Sequence, residues 1–166
     1  MLLTGKVLKY GDNINTDVII PGKYTKTLDL NILTTHVMED LDPFFRRKLR
    51  PGDFVVAGRN FGCGSSREQA PVALKHAGVS CIAAISFARI FYRNAVNIGL
   101  PLIECDTSLI DEGDILEYSL GGSQLRNITR NSILTLIPLP QIMIEILKEG
   151  GLVPFIRSRK GYTVQS

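Results

Sequence analysis

The sequence predicts an α/β fold built on a mixed sheet, with parallel strands first and a short antiparallel meander after them. Two observations carry this. Between residues 54 and 103, apolar runs alternate with segments of helical spacing. That strand–helix–strand–helix–strand order implies parallel pairing through right-handed crossovers. From Asp106 the texture changes to brief strand-like runs separated by Gly121-Gly122 and Asn131-Ser132, which is the pattern of tight antiparallel turns. The chain of 166 residues is long enough for one domain over 1–166 with its own core, and 45% hydrophobic with 21% charged residues is ordinary for a globular protein.

The elements follow in order. Leu2 to Lys9 reads as a first strand. Gly11 to Pro21 reads as a loop, polar at first and apolar at Val18-Ile19-Ile20, with Thr16 and Asp17 suited to an Asx-type turn at its centre. Gly22 to Thr27 is polar and reads as an exposed loop. Residues 28–40 have helical spacing in part, at Leu30, Leu33 and Val37. Phe44 to Arg50 is the most basic stretch and reads as a solvated helix end, cations near the negative end of the dipole. Pro51-Gly52-Asp53 turns the chain into an apolar strand, Phe54 to Gly58. Ala70 to Ala77 reads as a helix stopped by Lys75-His76 and Gly78, which makes His76 a dipole partner rather than a catalyst. Val79 to Ile85 is a strand. Ser86 opens a helix that runs to about Ile98, ended by Gly99 and Pro101, and Leu100 to Ile103 is a further strand. Residues 115–120, 125–128 and 133–137 supply the meander, and 139–148 a last helix. The polar tail Ser158 to Ser166 is expected to be loose.

Several function classes are excluded on bulk grounds. A net charge of +3 is too small to argue for nucleic acid or a membrane surface. No apolar run reaches the length of a membrane span, and the first residues lack the pattern of a signal peptide. The three cysteines, odd in number and widely spaced, suit a reducing compartment such as the cytoplasm rather than a disulfide framework.

The chain is organised around Asn60-Phe61-Gly62-Cys63-Gly64-Ser65-Ser66-Arg67-Glu68-Gln69. Ser65 with Glu68 three residues on matches a capping box and predicts a helix start at Ser65. A helix start presents free N–H groups that favour anions, and Arg67 adds a planar fork matched to a carboxylate or phosphate. Gly62 and Gly64 permit a sharp turn and a close approach. Pro71 cannot donate to the Arg67 carbonyl, so a bend is expected there. Two readings stand: a small anion cradle holding two hydroxyls, or an ordinary strand-to-helix turn. The dinucleotide fingerprint would need a third glycine where Arg67 stands, and the other phosphate loop would need Gly-Lys-Ser/Thr.

Gly62 to Ala70, followed by Ser86-Phe87-Ala88-Arg89-Ile90 and Asn94, resembles the swivelling domain of the aconitase superfamily. Within it, the chain is most similar to the separate small subunits of 3-isopropylmalate dehydratase. Gly11 to Pro21 and Asn97 to Leu102 share that resemblance, which covers nearly the whole chain. It implies a swivelling β/β/α domain that serves a cytoplasmic hydro-lyase of leucine biosynthesis and is active only with a large subunit. It implies a [4Fe-4S] cluster in that large subunit and no cofactor or metal in this chain. It further implies Ser65 as the base, Ser66 and Arg67 as binders of a substrate carboxylate, and Lys26 and Thr27 near the substrate's variable end. Gly62, Gly64 and Asp17 support them, the Asp17 carboxylate being placed to orient Arg67. Cys63, Cys81 and Cys105, 18 and 24 residues apart, lack the close pairing usual in cluster sites.

One departure matters. Aconitase carries a substrate-binding arginine in the loop after Pro21, whereas this chain has no arginine between Pro21 and Phe45 and has Lys26 instead. Lys26 would meet an extra carboxylate, line an apolar pocket with its stem, or stand solvated in the loop. Sister substrates therefore stay open, homoaconitate and citramalate or another methyl-substituted malate among them. So does a module that binds an anion or nucleotide without chemistry of its own.

Overall fold

The computed structural model describes residues 1–159. Seven strands form one mixed sheet: β1 (Leu2–Lys9), β2 (Phe54–Ala57), β3 (Cys81–Ala84), β4 (Leu102–Glu104), β5 (Ile115–Ser119), β6 (Gln124–Asn127) and β7 (Ser132–Thr135). Their order is β4-β3-β2-β1-β5-β6-β7. β1 joins the two halves. It runs parallel to β2, with Val7 opposite Phe54, and antiparallel to β5, with Gly5 opposite Leu116. β2, β3 and β4 continue the parallel half, and β5 to β7 form the expected meander.

β2 and β3 are buried at every position, as parallel strands covered on both faces should be. Successive side chains point to opposite faces, so the two strands feed two cores. Leu8, Val55, Ala57, Ile82 and Ala84 pack against the helices. Those helices are α1 (Thr16–Ile19), α2 (Leu30–His36), α4 (Gln69–Ala77) and α5 (Arg89–Asn97); α3 (Phe45–Lys48) adds Phe45 to the same core. Val7, Phe54, Val56, Cys81 and Ala83 face the other way and share a core with Leu116, Tyr118, Leu125 and Leu134 of the meander. The sheet is therefore curled, with its antiparallel half folded over the face the helices leave bare. α6 (Gln141–Lys148) contributes Leu147 to this second core.

The structure corrects the sequence reading in five places. The loop Gly11–Pro21 contains α1, capped by Asn15, whose Oδ1 accepts from the Asp17 N–H at 2.8 Å. Asn15 rather than Thr16 or Asp17 thus makes the Asx contact. Gly22–Tyr24 is a 3₁₀ turn. α4 starts at Gln69, not Ser65, and its flanking residue Glu68 makes no side-chain cap. Pro71 then falls in the first turn, where a missing N–H costs no helical bond, and the Arg67 carbonyl accepts from Ala70 instead. α5 starts at Arg89; Ser86 is not a helix start, because Phe87 is extended and bridges Phe61 while the Ser86 hydroxyl accepts from the Asn60 N–H. Finally, the tail expected from Ser158 onward begins inside α7 (Leu152–Ser158), which has Pro154 in its first turn as α4 has Pro71. Residues 160–166 of that tail lie outside the described residues.

Asp42 fastens the end of β1 to the helical layer. It accepts from Tyr10 Oη at 2.9 Å, Lys48 Nζ at 2.8 Å and the Phe44 N–H at 3.0 Å. Burial pushes its carboxyl up, but these donors outweigh it and hold the group below its ordinary 3.8. A lowered folded value stabilises the protein above the unfolded value and ceases to do so as pH falls through the folded one. Asp42→Asn is thus expected to cost about 1–2 kcal/mol at neutral pH. In paired urea titrations the gap to the parent should shrink below pH 3.8.

Candidate active site

The site forms where the parallel strands end. Three segments run on from them: residues 10–15 after β1, 58–64 after β2 and 85–88 after β3. Isolated bridges join Asn15 to Cys63 and Phe61 to Phe87, extending the parallel pairing past the regular sheet. Ligands of open α/β sheets bind outside these carboxyl ends. Here the segments frame a cleft of about 310 Å³ lined by Thr16, Gly62, Gly64, Ser65, Ser66, Arg67, the first turn of α5 and Asn94.

The cradle is held by loop 13–16, not by a helix end. The Thr16 N–H donates to the Cys63 carbonyl and the Gly62 N–H to the Ile14 carbonyl, both at 2.8 Å. The Thr16 hydroxyl, 2% exposed, donates to the Ser65 carbonyl at 2.7 Å. These bonds tie residues 62–65 to loop 13–16 in a turn, and the helix begins only after them, at Gln69. Ser65 and Ser66 are left exposed on the cleft wall. The two glycines are explained by packing rather than by a ligand. Gly62 has φ +79° and Gly64 φ +87°, and a Cβ would stand 2.2 Å from Phe91 Cγ or 2.3 Å from Asn15 Oδ1. Phe91 in turn packs edge-on against Phe61 at 5.2 Å. Gly62→Ala is expected to destabilise the fold by about 3 kcal/mol through backbone strain and overpacking, read as a fall in the urea midpoint.

Arg67 is the most constrained charged group of the cradle, its side chain 18% exposed. Nη2 stands 2.7 Å from Asp17 Oδ1, and Nη1 donates to the Ile20 carbonyl at 3.1 Å. Gly22 lets the loop lie against the fork: a Cβ there would stand 3.3 Å from Nη1. The sequence offers Asp17 only as a candidate to orient Arg67; in the structure the two charges meet.

The structure thus brings Gly62, Gly64, Ser65, Ser66 and Arg67 together, with Asp17 behind the arginine. It does not bring Lys26 or Thr27 into the cleft lining. Lys26 is exposed, and the Thr27 hydroxyl accepts from the Asp29 N–H at 3.0 Å. Their loop still abuts the cradle, since Gln69 Nε2 donates to the Thr25 carbonyl at 2.9 Å. Thr16, Arg89 and Asn94 line the cleft without having been singled out as site residues. The signal for the last two was in the sequence, within the Ser86–Ile90 stretch and the asparagine after it.

Cysteine chemistry is poorly suited to a cluster here. Among the described residues, no three His, Cys, Asp or Glu side chains gather as a metal site. Burial pushes the Cys81 thiol well up and, with Asp106 nearby adding to it, the Cys105 thiol up to about 12. Thiols held protonated make poor ligands.

The chain has relatives among known proteins that match it in sequence and in fold. The model of the aconitase C-terminal domain matches residues 12–107. A protein of Halothermothrix orenii named 3-isopropylmalate dehydratase small subunit is 54% identical, over 95% of this chain and 96% of its own. The methanogen homoaconitase small subunit of Methanothermobacter thermautotrophicus is 55% identical over 92% of this chain and 89% of its own. The crystal structure of a 3-isopropylmalate dehydratase from Methanocaldococcus jannaschii superposes with a TM-score of 0.92 at 44% identity, covering 96% of each chain. By family match, identity and fold together, the chain belongs to the aconitase C-terminal domain family, among its separate small subunits of the 3-isopropylmalate dehydratase type.

Proposed function

We propose that this chain is the small subunit of a two-subunit hydro-lyase that interconverts 2-isopropylmalate and 3-isopropylmalate in the cytoplasm, a step of leucine biosynthesis. The observation that carries the reading is the cleft itself. A hydroxyl and a guanidinium share an open wall at the carboxyl ends of the parallel strands, where a second chain can cover them. In this reading the large subunit carries an iron–sulfur cluster, which would supply the Lewis acid for the substrate hydroxyl and a carboxylate.

This chain's share is binding and proton transfer. Ser65 takes the proton from the carbon next to the hydroxyl-bearing one and returns it on rehydration. A serine hydroxyl is a weak base unless its alkoxide is stabilised by nearby positive charge and N–H donors. Arg67 supplies the charge, and Asp17 and the Ile20 carbonyl fix its direction. Ser66 and the free edge of Arg67 hold a substrate carboxylate.

A second substrate is favoured by two observations: Lys26 in the rim loop, and relatives named homoaconitase and isopropylmalate/citramalate isomerase small subunits at 55% and 48% identity. One experiment covers both. The purified chain is mixed with a cluster-loaded large subunit and supplied with isopropylmalate, homoaconitate and citramalate. Neither subunit alone should turn over; together they should convert isopropylmalate. Homoaconitate as the best substrate, with Lys26→Ala abolishing the preference, would move the assignment to the sister enzyme. No turnover of any of the three would remove the dehydratase reading.

A further inference from the structure

The Thr16 hydroxyl bonds to the Ser65 carbonyl across forty-nine residues of chain. Among the described residues, no other hydrogen bond reaches the backbone of Gly64, Ser65 or Ser66. Both serines stand exposed, so packing adds little to hold the peptide between them. A peptide unit is planar and carries the Cα atoms of both its residues. One bond to that carbonyl therefore sets the direction in which the Ser65 and Ser66 side chains leave the chain. The donor is itself fixed. Thr16 is the first residue of α1, its N–H is bonded to the Cys63 carbonyl, and its β-branched side chain is stiff at χ1. The next residue, Asp17, meets Arg67. Two adjacent residues of α1 thus hold the serine peptide and the guanidinium separately.

We infer that Thr16 is a positioning residue for the base: its buried hydroxyl holds the Ser65–Ser66 peptide at the angle that brings Ser65 Oγ to the acidic C–H of the substrate. The inference rests on the dehydratase reading above and deepens it. A base works only within hydrogen-bond reach of its proton, and a misplacement of about 1 Å costs on the order of 10²-fold. The effect is separable from binding through Arg67. That fork is held by Asp17 and the Ile20 carbonyl, neither of which the Thr16 hydroxyl touches.

The test uses the reconstituted two-subunit enzyme with Thr16→Val, which keeps the shape and removes the donor, and Thr16→Ser, which keeps the donor. Thr16→Val is expected to lower kcat about 10- to 100-fold while KM for isopropylmalate moves by no more than about threefold. Thr16→Ser should recover most of that loss. In a Ser65→Ala background, Thr16→Val should cost almost nothing further, because the group it aims is already gone. Thr16→Ala, which cannot crowd the carbonyl, serves in the same cycle if Thr16→Val does not fold. An equal proportional loss in the parent and in the Ser65→Ala background would mean that Thr16 does not act through Ser65, and would overturn the inference. So would a loss confined to KM, equal losses in Thr16→Val and Thr16→Ser, or near-parent turnover in Thr16→Val, each leaving the dehydratase reading intact. A Ser65→Ala enzyme with near-parent turnover would instead remove the base assignment, and this inference with it.

Discussion

Ser65→Ala is expected to lower kcat about 10²–10⁴-fold in the reconstituted enzyme, with little change in KM. The size follows from the proposed role, in which the hydroxyl takes and returns the proton and a methyl can do neither. The selectivity for kcat follows from geometry. The structural contact of Ser65 is made by its backbone carbonyl, which accepts from the Thr16 hydroxyl and survives the substitution. The side chain is exposed and holds nothing else in place among the described residues. The cradle should keep its shape, the carboxylate binders should stay, and thermal stability should match the parent. Steady-state kinetics with an unfolding curve on the same preparation checks all of this. A variant within a factor of a few of the parent would take Ser65 out of the base role.

Arg67→Ala should cost about 2–4 kcal/mol of transition-state stabilisation, roughly 30- to 1,000-fold in kcat/KM. Two losses add here. The fork no longer meets a substrate carboxylate or stabilises the serine alkoxide. The Asp17 carboxylate, previously neutralised at 2.7 Å, is left as a bare negative charge on the rim of a site that must admit a dianion. Restoring neutrality with Asp17→Asn should therefore recover part of the Arg67→Ala loss, although Asp17→Asn alone lowers activity by freeing the guanidinium to swing. Such opposite signs mark coupled residues in a double-mutant cycle. Arg67→Lys should recover less than its charge suggests, because an ammonium cannot bond the Ile20 carbonyl and a carboxylate in one plane. The fold should also lose about 2 kcal/mol, since the charge-assisted bond to the Ile20 carbonyl and the half-exposed pair with Asp17 both go.

Much of this was legible in the sequence, for identifiable reasons. Strands β2 and β3 are continuous apolar runs because both faces are buried, and the meander shows itself by its turns. The Asp17–Arg67 contact was not legible in the sequence, which only offered a carboxylate near the rim; the fold brings the two charges together. What failed were local rules overridden by tertiary bonds. Ser65 and Glu68 spell a capping box, yet Thr16, forty-nine residues back, holds the Ser65 carbonyl and delays the helix to Gln69. Pro71 looked like an interruption and instead sits in a first turn, as Pro154 does in α7, so such helix starts are counted from the proline backwards. α1 was missed because four residues leave no periodicity to detect. The glycines were expected to admit a ligand, whereas the residues that crowd them are Phe91 and Asn15.

In the proposed enzyme this chain lends Ser65 to a site completed by another chain. The most direct test is competition between parent and Ser65→Ala chains for a limiting amount of cluster-loaded large subunit. If the variant docks normally and fails only as a base, turnover should fall in proportion to its share of the mixture, to about half at equal amounts and toward zero in excess. Turnover that holds steady as the variant is added would contradict the account, whether because the variant does not occupy the site or because it is itself active there.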